Sequence, residues 1–334
     1  MRVAINGFGR IGRTVFRILD KRAGMDVVAI NDLFDPAALA YLLKYDTVMG
    51  RFGSAVSVEG GYLKTPGSTV KMLAERDPGA LPWKDMGIDI VVESTGIFVT
   101  REQLQTHLDA GAGRVVLTVP AKDDIDYMVV IGVNEDGLKP EHRIVSNASC
   151  TTNCLAPMAR VLHEAFGIVE GIINTVHAYT NDQRLADVPH KDWRRSRAAA
   201  ENIIPTTTGA AKAVGKIMPE LAGKLDGIAS RVPVPDGSVV DLVCELEKEV
   251  TVEDIHDAVR EAAATPRLKN ILSYSTLPIV STDIIGDPHS SIYDAPFTRV
   301  SGGHFVKTLN WYDNEWAYSN RVVDLIQLMG NGNS

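Results

Sequence analysis

Hydrophobic positions in the first 150 residues fall in short runs separated by segments of helical period. Val3-Ala4-Ile5 reads as a strand, and Val15, Phe16, Ile18 and Leu19 mark one face of the helix that follows it. Val27 to Ile30 is a second strand, Leu39 to Tyr45 is helical, and a Gly-rich polar stretch with short strands leads to Val70-Lys71-Met72-Leu73. Apolar runs then cover Ile88 to Glu93, Arg114 to Val119 and Tyr127 to Val133, with a helical segment from Arg101 to Ala110. This alternation predicts an α/β unit of the Rossmann type over residues 1–149.

Beyond residue 150 the pattern changes. Leu155, Met158, Val161, Leu162 and Phe166 predict a helix, and Ile168 to His177 a strand. Asn181 to Asn202 is a long polar loop rich in arginine, of a length usually reserved for function or interfaces. Strands follow at Gly227 to Val234 and Ser238 to Glu247. In the latter, Val240, Leu242, Cys244 and Leu246 alternate with Val239, Asp241, Val243 and Glu245, so one face is buried. A helix from Val252 to Ala263 opens on Thr251 with Asp254 three residues on, close to a capping box. Strands at Ile279 to Ile285 and His304 to Trp311 complete a mixed, largely antiparallel sheet, giving an α+β catalytic domain over 150–314. The closing amphipathic helix, within 315–334, carries Val322, Val323, Leu325, Ile326 and Leu328 and is expected to pack back on the first domain. No Pro- or Ser-rich linker separates the halves, which points to a shared cleft near residue 150.

The turn after the first strand is Gly7-Phe8-Gly9-Arg10-Ile11-Gly12, and Asp32 ends the second strand 20 residues after Gly12. That is the dinucleotide fingerprint in its strand–turn–helix setting. Gly7 permits the tight turn, Gly9 lets backbone N–H groups approach a pyrophosphate, and Gly12 lets the helix pack closely. Asp32 can accept both hydroxyls of an adenosine ribose and would repel a 2′-phosphate, so NAD is expected over its phosphorylated form. Thr95 and Thr118 lie in loops at strand carboxyl ends, where cofactors bind, although plain loop chemistry would also place threonines there.

Cys150 falls where Arg143-Ile144-Val145-Ser146 turns into a helix, a position where unpaired N–H groups and the helix dipole favour a thiolate. Locally it reads equally well as a nucleophile or a buried structural thiol. Pro157 leaves two helix geometries open: a start near Cys150 with a bend, or a later start at which the dipole helps less. A cysteine beside a nicotinamide can add to an aldehyde and release hydride to leave a thioester, a scheme that needs a base. His177, at a strand end before Tyr179-Thr180, is the chosen base. Thr151, Thr152, Thr180, the run Thr206-Thr207-Thr208-Gly209, and Arg195, Arg197 and Arg231 supply groups that bind phosphate. They suggest a phosphorylated substrate, inorganic phosphate as acyl acceptor, or both, with a solvated or intersubunit loop as the other reading of Arg194 to Arg197.

Composition narrows the setting. A formal net charge of −8 argues against a dedicated nucleic-acid surface. Three cysteines, Cys150, Cys154 and Cys244, make no complete disulfide framework, and none is spaced with histidine as in a zinc site. Without an apolar segment of about 18 residues or a leader, the chain is expected to be cytoplasmic.

Ser146 to Cys154, His177-Ala178-Tyr179-Thr180-Asn181-Asp182-Gln183-Arg184, Asn202 to Val214 and Trp311-Tyr312-Asp313-Asn314-Glu315 resemble the motifs of phosphorylating glyceraldehyde-3-phosphate dehydrogenases, over essentially the whole chain. The resemblance implies oxidation of D-glyceraldehyde 3-phosphate with NAD and inorganic phosphate to 1,3-bisphosphoglycerate, in a homotetramer, as a step of glycolysis. It implies that Cys150 is the nucleophile and His177 its base. Ser149, Thr151, Thr208 and Gly209 match inorganic-phosphate ligands, and Thr180 and Arg231 match ligands of the substrate phosphate. Arg195 and Arg197 fall in the loop lining the anion sites. Arg10, Ile11, Asp32, Arg76, Thr118 and Asn314 correspond to cofactor contacts, Asn314 near the nicotinamide amide. Asp187-Val188-Pro189 is similar to the pattern of NAD-using members, while Ala317 stands where the family usually has Gly. The sister activity on erythrose 4-phosphate is the nearest rival, but that branch departs from the Tyr179 to Asp182 pattern seen here. A silent dinucleotide-binding interaction protein is the rival of another class.

Overall fold

The computed structural model describes residues 1–331, in two compact units. The first comprises Met1–Val129, Asp136–Ala148 and the chain from Ser319; the second comprises Val130–Glu135 and Ser149–Tyr318. The last three residues of the expected C-terminal return, 332–334, lie outside the described residues.

In the first unit the strands are β1 (Arg2–Asn6), β2 (Asp26–Asn31), β3 (Ser57–Glu59), β4 (Tyr62–Lys64), β5 (Thr69–Leu73), β6 (Ile90–Glu93), β7 (Arg114–Leu117), β8 (Tyr127–Met128) and β9 (Ile144–Ser146). They form one sheet in the order β3-β4-β5-β2-β1-β6-β7-β9-β8, parallel from β5 onward and antiparallel at β3-β4-β5. The chain runs outward from β1 through β2 to β5, then returns to β6 on the other side of β1. The reversal between β1 and β6 is where open α/β sheets bind ligands, outside the strand carboxyl ends. The central strands are apolar on both faces because helices α1 (Arg10–Leu19), α2 (Pro36–Lys44) and α3 (Arg101–Asp109) serve them; Val3, Ala4, Ile5, Val91 and Val92 are fully buried.

The second unit contains β10 (Ile168–Ala178), β11 (Ile204–Thr207), β12 (Leu225–Val232), β13 (Ser238–Leu246), β14 (Leu272–Ser275), β15 (Ser291–Asp294), β16 (Arg299–Ser301) and β17 (Phe305–Tyr312). Their order is β11-β12-β10-β13-β17-β15-β14, with β16 on β17. β10–β12 and β14–β15 are parallel and the other pairs antiparallel. Val240, Leu242, Cys244 and Leu246 of β13 are buried, as the alternation predicts. Helices α4 (Cys150–Phe166), α5 (Ala210–Ile217) and α6 (Val252–Ala264) complete this unit, and α7 (Trp316–Asn331) leads back to the first. There Val322, Val323, Leu325 and Ile326 of α7 are fully buried, and an Arg114 guanidinium N–H reaches the Met329 carbonyl.

Two expectations need correction. Ile279 to Ile285 is not a strand. Ser281–Ile284 is a short 3₁₀ turn in which Asp283 accepts from the Val280 amide at 2.7 Å; Val280 is exposed and Ile284 buried, so no period of two exists. The short strands β14 and β15 take its place in the sheet. The run Tyr127 to Val133 pairs only over Tyr127–Met128, and Val130–Glu135 belongs to the second unit. Arg160 holds the Val133 carbonyl at 2.6 Å and Arg267 those of Gly132 and Val133 at 3.1 and 3.0 Å, which ties this segment to the helical side of that unit. Among the described residues, no helix is long and apolar enough to cross a membrane.

Candidate active site

The glycine turn follows β1 directly. Gly7 has φ +91°, and a Cβ there would stand 2.6 Å from the Thr95 amide nitrogen; a Cβ on Gly12 would stand 2.2 Å from the Gly7 carbonyl. At Gly9, by contrast, a side chain would enter open space, and no side chain caps the α1 amides behind it. That is the cradle a pyrophosphate needs: backbone donors at a helix start with no side chain capping them. Asp32 closes the turn by accepting from the Phe8 amide at 2.7 Å on one oxygen and from the Phe34 amide at 3.1 Å on the other. A carboxylate has about four lone-pair sites, so acceptor capacity for a ribose diol remains on both oxygens. The residues present therefore fit NAD.

The other expected cofactor residues are placed unequally. Arg10 pairs with Asp46 at 2.6 Å, Ile11 lies in the first turn of α1, and Arg76 is exposed. Thr118 is buried and its hydroxyl donates to the Glu93 carbonyl at 3.0 Å. Sequence reading missed Glu93 itself, whose buried carboxylate accepts from Asn6 at 2.6 Å, His107 at 3.0 Å and the Thr95 amide at 2.9 Å. It ties the carboxyl ends of β1 and β6 beneath the glycine turn. A polar residue closing an apolar strand was the available signal.

In the second unit Cys150 is the first residue of α4. Ser149 caps that helix by accepting from the Thr152 amide at 3.1 Å. The helix thus starts at the cysteine and continues through Pro157, which selects the first of the two geometries the sequence allowed. Cys154, one turn on, is fully buried and faces the Asn310 carbonyl at 3.4 Å.

Cys150 Sγ lies 3.4 Å from His177 Nε2. His177 Nδ1 is 2.6 Å from the Ala178 carbonyl, a separation that requires a proton on Nδ1, so the Nε2 lone pair faces the sulfur. Arg231, register partner of His177 on β12, brings Nη1 to 2.9 Å from the same Nδ1. With Nδ1 protonated, this guanidinium N–H serves the Ala178 carbonyl at 3.0 Å and Thr180 Oγ1 at 3.2 Å instead. Arg231 Nε is buried and meets no acceptor among the described residues. Burial pushes the Cys150 thiol up to about 11, against the opposing Arg231 charge and hydrogen bonds from Thr151, although the residue keeps part of its surface open. Burial, then the Arg231 charge, pushes His177 down to about 3. Each group taken singly is held neutral, while proton transfer would leave opposite charges 3.4 Å apart, so the two titrate as one unit.

Around this pair, Thr180 and Arg195 both bond to the Asp182 carboxylate, and Arg195 Nε donates to Thr206 at 2.9 Å. Thr208 accepts from the Ala210 amide at 3.2 Å, and Gly209 caps α5 without a side chain. Two expected anion ligands, Thr151 and Arg197, have protein partners. The Thr151 hydroxyl is buried against Tyr312 Oη at 2.8 Å and also bonds to the Cys150 thiol. Arg197 is exposed and pairs with Asp187 at 3.0 Å, apart from the Arg195 cluster. Asn314 is buried, with Oδ1 accepting from Ser238 at 2.6 Å; Ser238 in turn accepts from the Ala178 amide at 3.0 Å. Sequence reading missed Asp182, Tyr312, Ser238 and Asp236. The first two lie inside the recognised motifs, and the last sits in a Pro-Asp-Gly run that reads only as a turn.

A Rossmann-type unit with a pyrophosphate cradle, joined in one chain to a thiol–imidazole pair flanked by arginines, defines the class of nicotinamide-dependent dehydrogenases. The family models for the glyceraldehyde 3-phosphate dehydrogenase NAD binding domain and C-terminal domain match residues 1–101 and 149–314. The chain is 56% identical over 333 residues to glyceraldehyde-3-phosphate dehydrogenase of Streptomyces coelicolor, covering 99% of both chains. It is 59% identical over 326 residues to that of Geobacillus stearothermophilus, covering 97% of both, and 56% identical over 333 residues to that of Borreliella burgdorferi, covering 98% and 99%. The chain belongs to the glyceraldehyde-3-phosphate dehydrogenase family and is an NAD-dependent enzyme.

Proposed function

We propose that the enzyme oxidises D-glyceraldehyde 3-phosphate with inorganic phosphate to 1,3-bisphosphoglycerate, with Cys150 as nucleophile and His177 as base. The observation that carries this reading is the 3.4 Å contact between Cys150 Sγ and His177 Nε2, with Arg231 beside the ring's other nitrogen. The sulfur adds to the aldehyde carbon while Nε2 takes the thiol proton and passes it on to the oxygen, which leaves a thiohemiacetal hydroxyl and a neutral imidazole. The resulting hydroxyl is held against the same imidazole, which removes its proton as hydride departs and leaves a thioester on Cys150. Bound NAD supplies the hydride acceptor, held by Gly7, Gly9, Arg10, Ile11, Gly12, Asp32, Arg76, Thr118 and Asn314.

Arg231 and Thr180 suit the substrate phosphate, because Arg231 Nε still lacks an acceptor. Ser149, Thr208, Gly209 and the Thr151 backbone amide suit the attacking phosphate, with Arg195 supplying charge. Arg197 joins them by exchanging Asp187 for the anion. A homotetramer is supported by exposed apolar side chains: Ile172 and Ile228 on β10 and β12, and Leu185 and Trp193 in the arginine-rich loop. Three free cysteines suit the cytoplasm. The two domains are taken as 1–149, with the C-terminal helix, and 150–314, with Val130–Glu135 grouped with the second.

The test is cofactor reduction with glyceraldehyde 3-phosphate, with and without inorganic phosphate, beside erythrose 4-phosphate. Turnover should require phosphate and favour the triose. Equal rates without phosphate, or preference for the tetrose, would refute this reading.

A further inference from the structure

Asp236 and Asp313 are almost fully buried, and their carboxyl groups lie within hydrogen-bonding reach of each other. Two buried carboxylates in contact cannot both be ionised, so one proton belongs to the pair. The surrounding donors say where it sits. Asp313 accepts three backbone amides: Gly286 at 2.7 Å on Oδ2, and Glu315 at 2.9 Å and Trp316 at 2.6 Å on Oδ1. Asp236 takes both of its amides on one oxygen, with Gly237 at 2.8 Å and Asn314 at 3.2 Å on Oδ1, and no N–H or O–H group reaches its Oδ2. Among the described residues no donor meets Asp236 Oδ2, and the Asp313 carboxylate beside it is already supplied with three amides, so the shared proton is placed on Asp236 Oδ2. Burial, then the negative charges of Asp313 and Glu315, pushes Asp236 well above the usual carboxylate range.

Asn314 is gripped twice in this arrangement. Its amide N–H is held by Asp236 and its side-chain oxygen by Ser238, so the side-chain NH2 is the end left to meet a ligand. A neutral Asp236 also keeps a second negative charge away from Cys150, whose ionisation it would otherwise oppose.

We propose that Asp236 is a protonated positioning residue, donating from Oδ2 to Asp313 and accepting the Asn314 amide on Oδ1, so that Asn314 presents its NH2 to the nicotinamide carboxamide. This rests on the cofactor role given to Asn314 above. In the full-length enzyme, Asp236→Asn keeps an acceptor for the two amides and puts an N–H where the O–H stood. Its Kd for NAD should lie several-fold closer to wild type than that of Asp236→Ala, since no buried group loses a partner. Asp236→Ala strips both bonds and should raise the Kd for NAD about tenfold. Asp313→Asn sets an NH2 among amide donors and should be the more damaging of the two asparagine changes. If Asp313→Asn does not fold, the contrast between Asp236→Asn and Asp236→Ala still decides. Asp236→Asn as harmful as Asp236→Ala would overturn the proposal, as would wild-type NAD affinity in Asp236→Ala. Infrared spectroscopy at neutral pH should show a protonated-carboxyl band in the wild type that Asp236→Asn lacks. Absence of that band overturns the proton assignment whatever aldehyde the enzyme oxidises, which separates this failure from failure of the proposed reaction.

Discussion

His177 and Arg231 face each other in register on the parallel strands β10 and β12, with Arg231 Nη1 2.9 Å from His177 Nδ1. The cation lowers the basicity of the ring while the sulfur waits on its other nitrogen, so the imidazole is neutral at rest and able to take a proton.

From this follows the first prediction, on pH. With His177 removed, burial still outweighs the Arg231 charge and the Thr151 hydrogen bonds and holds the Cys150 thiol up at about 11. A raised thiol pKa means less thiolate at every pH below it, so the rate of Cys150 alkylation by iodoacetamide in His177→Asn should rise only at alkaline pH. In the wild type, where the pair titrates together, it should rise earlier. The same variant should lose about 10²–10⁴ in kcat, the usual worth of a general base. Superimposable alkylation profiles would refute the pairing.

For Arg231 the expected effect lies on the phosphorylated substrate. Arg231→Lys keeps a charge but not the fork that reaches Ala178 and Thr180 together, and should raise the KM for glyceraldehyde 3-phosphate by about tenfold or more, with NAD affinity unchanged. Steady-state kinetics beside an NAD titration would check this.

Asp32 governs cofactor choice. Asp32→Gly removes the charge that repels a 2′-phosphate, and the ratio of kcat/KM for NADP over NAD should rise by about tenfold or more. Because the Phe8 and Phe34 amides lose their acceptor too, the affinity for NAD itself should fall. An unchanged ratio would refute the ribose role.

Tyr312 is a structural hub beneath the site. Its hydroxyl meets Thr151 at 2.8 Å and Thr175 at 2.9 Å, and its ring packs edge-on to His177 with centroids 5.9 Å apart. Tyr312→Phe should cost about 1–3 kcal/mol by leaving buried threonine hydroxyls short of a partner, measured by chemical denaturation.

Much of the site was legible because its residues mark ends of periodic runs. Gly7 to Gly12 and Asp32 close two apolar strands, Cys150 opens a helix, and His177 closes a strand. The rest depended on contacts that no local pattern encodes. Strands β14 and β15 are four residues each, too short for a clear period, while the apolar Ile279 to Ile285 imitated the strand they supply. Residue chemistry and the motif resemblance gave Thr151 and Arg197 to the anion, but neither could show that the Thr151 hydroxyl meets Tyr312 or that Arg197 pairs with Asp187. Asp236 and Asp313 acquire their meaning only when β13 and β17 pair and bring Ser238 opposite Tyr312.

The acyl-enzyme on Cys150 is the central claim, and a rapid-mixing experiment without inorganic phosphate tests it most directly. With NAD and glyceraldehyde 3-phosphate, the wild type should give a burst of one reduced cofactor per chain and then nearly stop, resuming when phosphate is added; Cys150→Ser should give no burst. Continuous turnover without phosphate, or a burst from Cys150→Ser, would contradict the account.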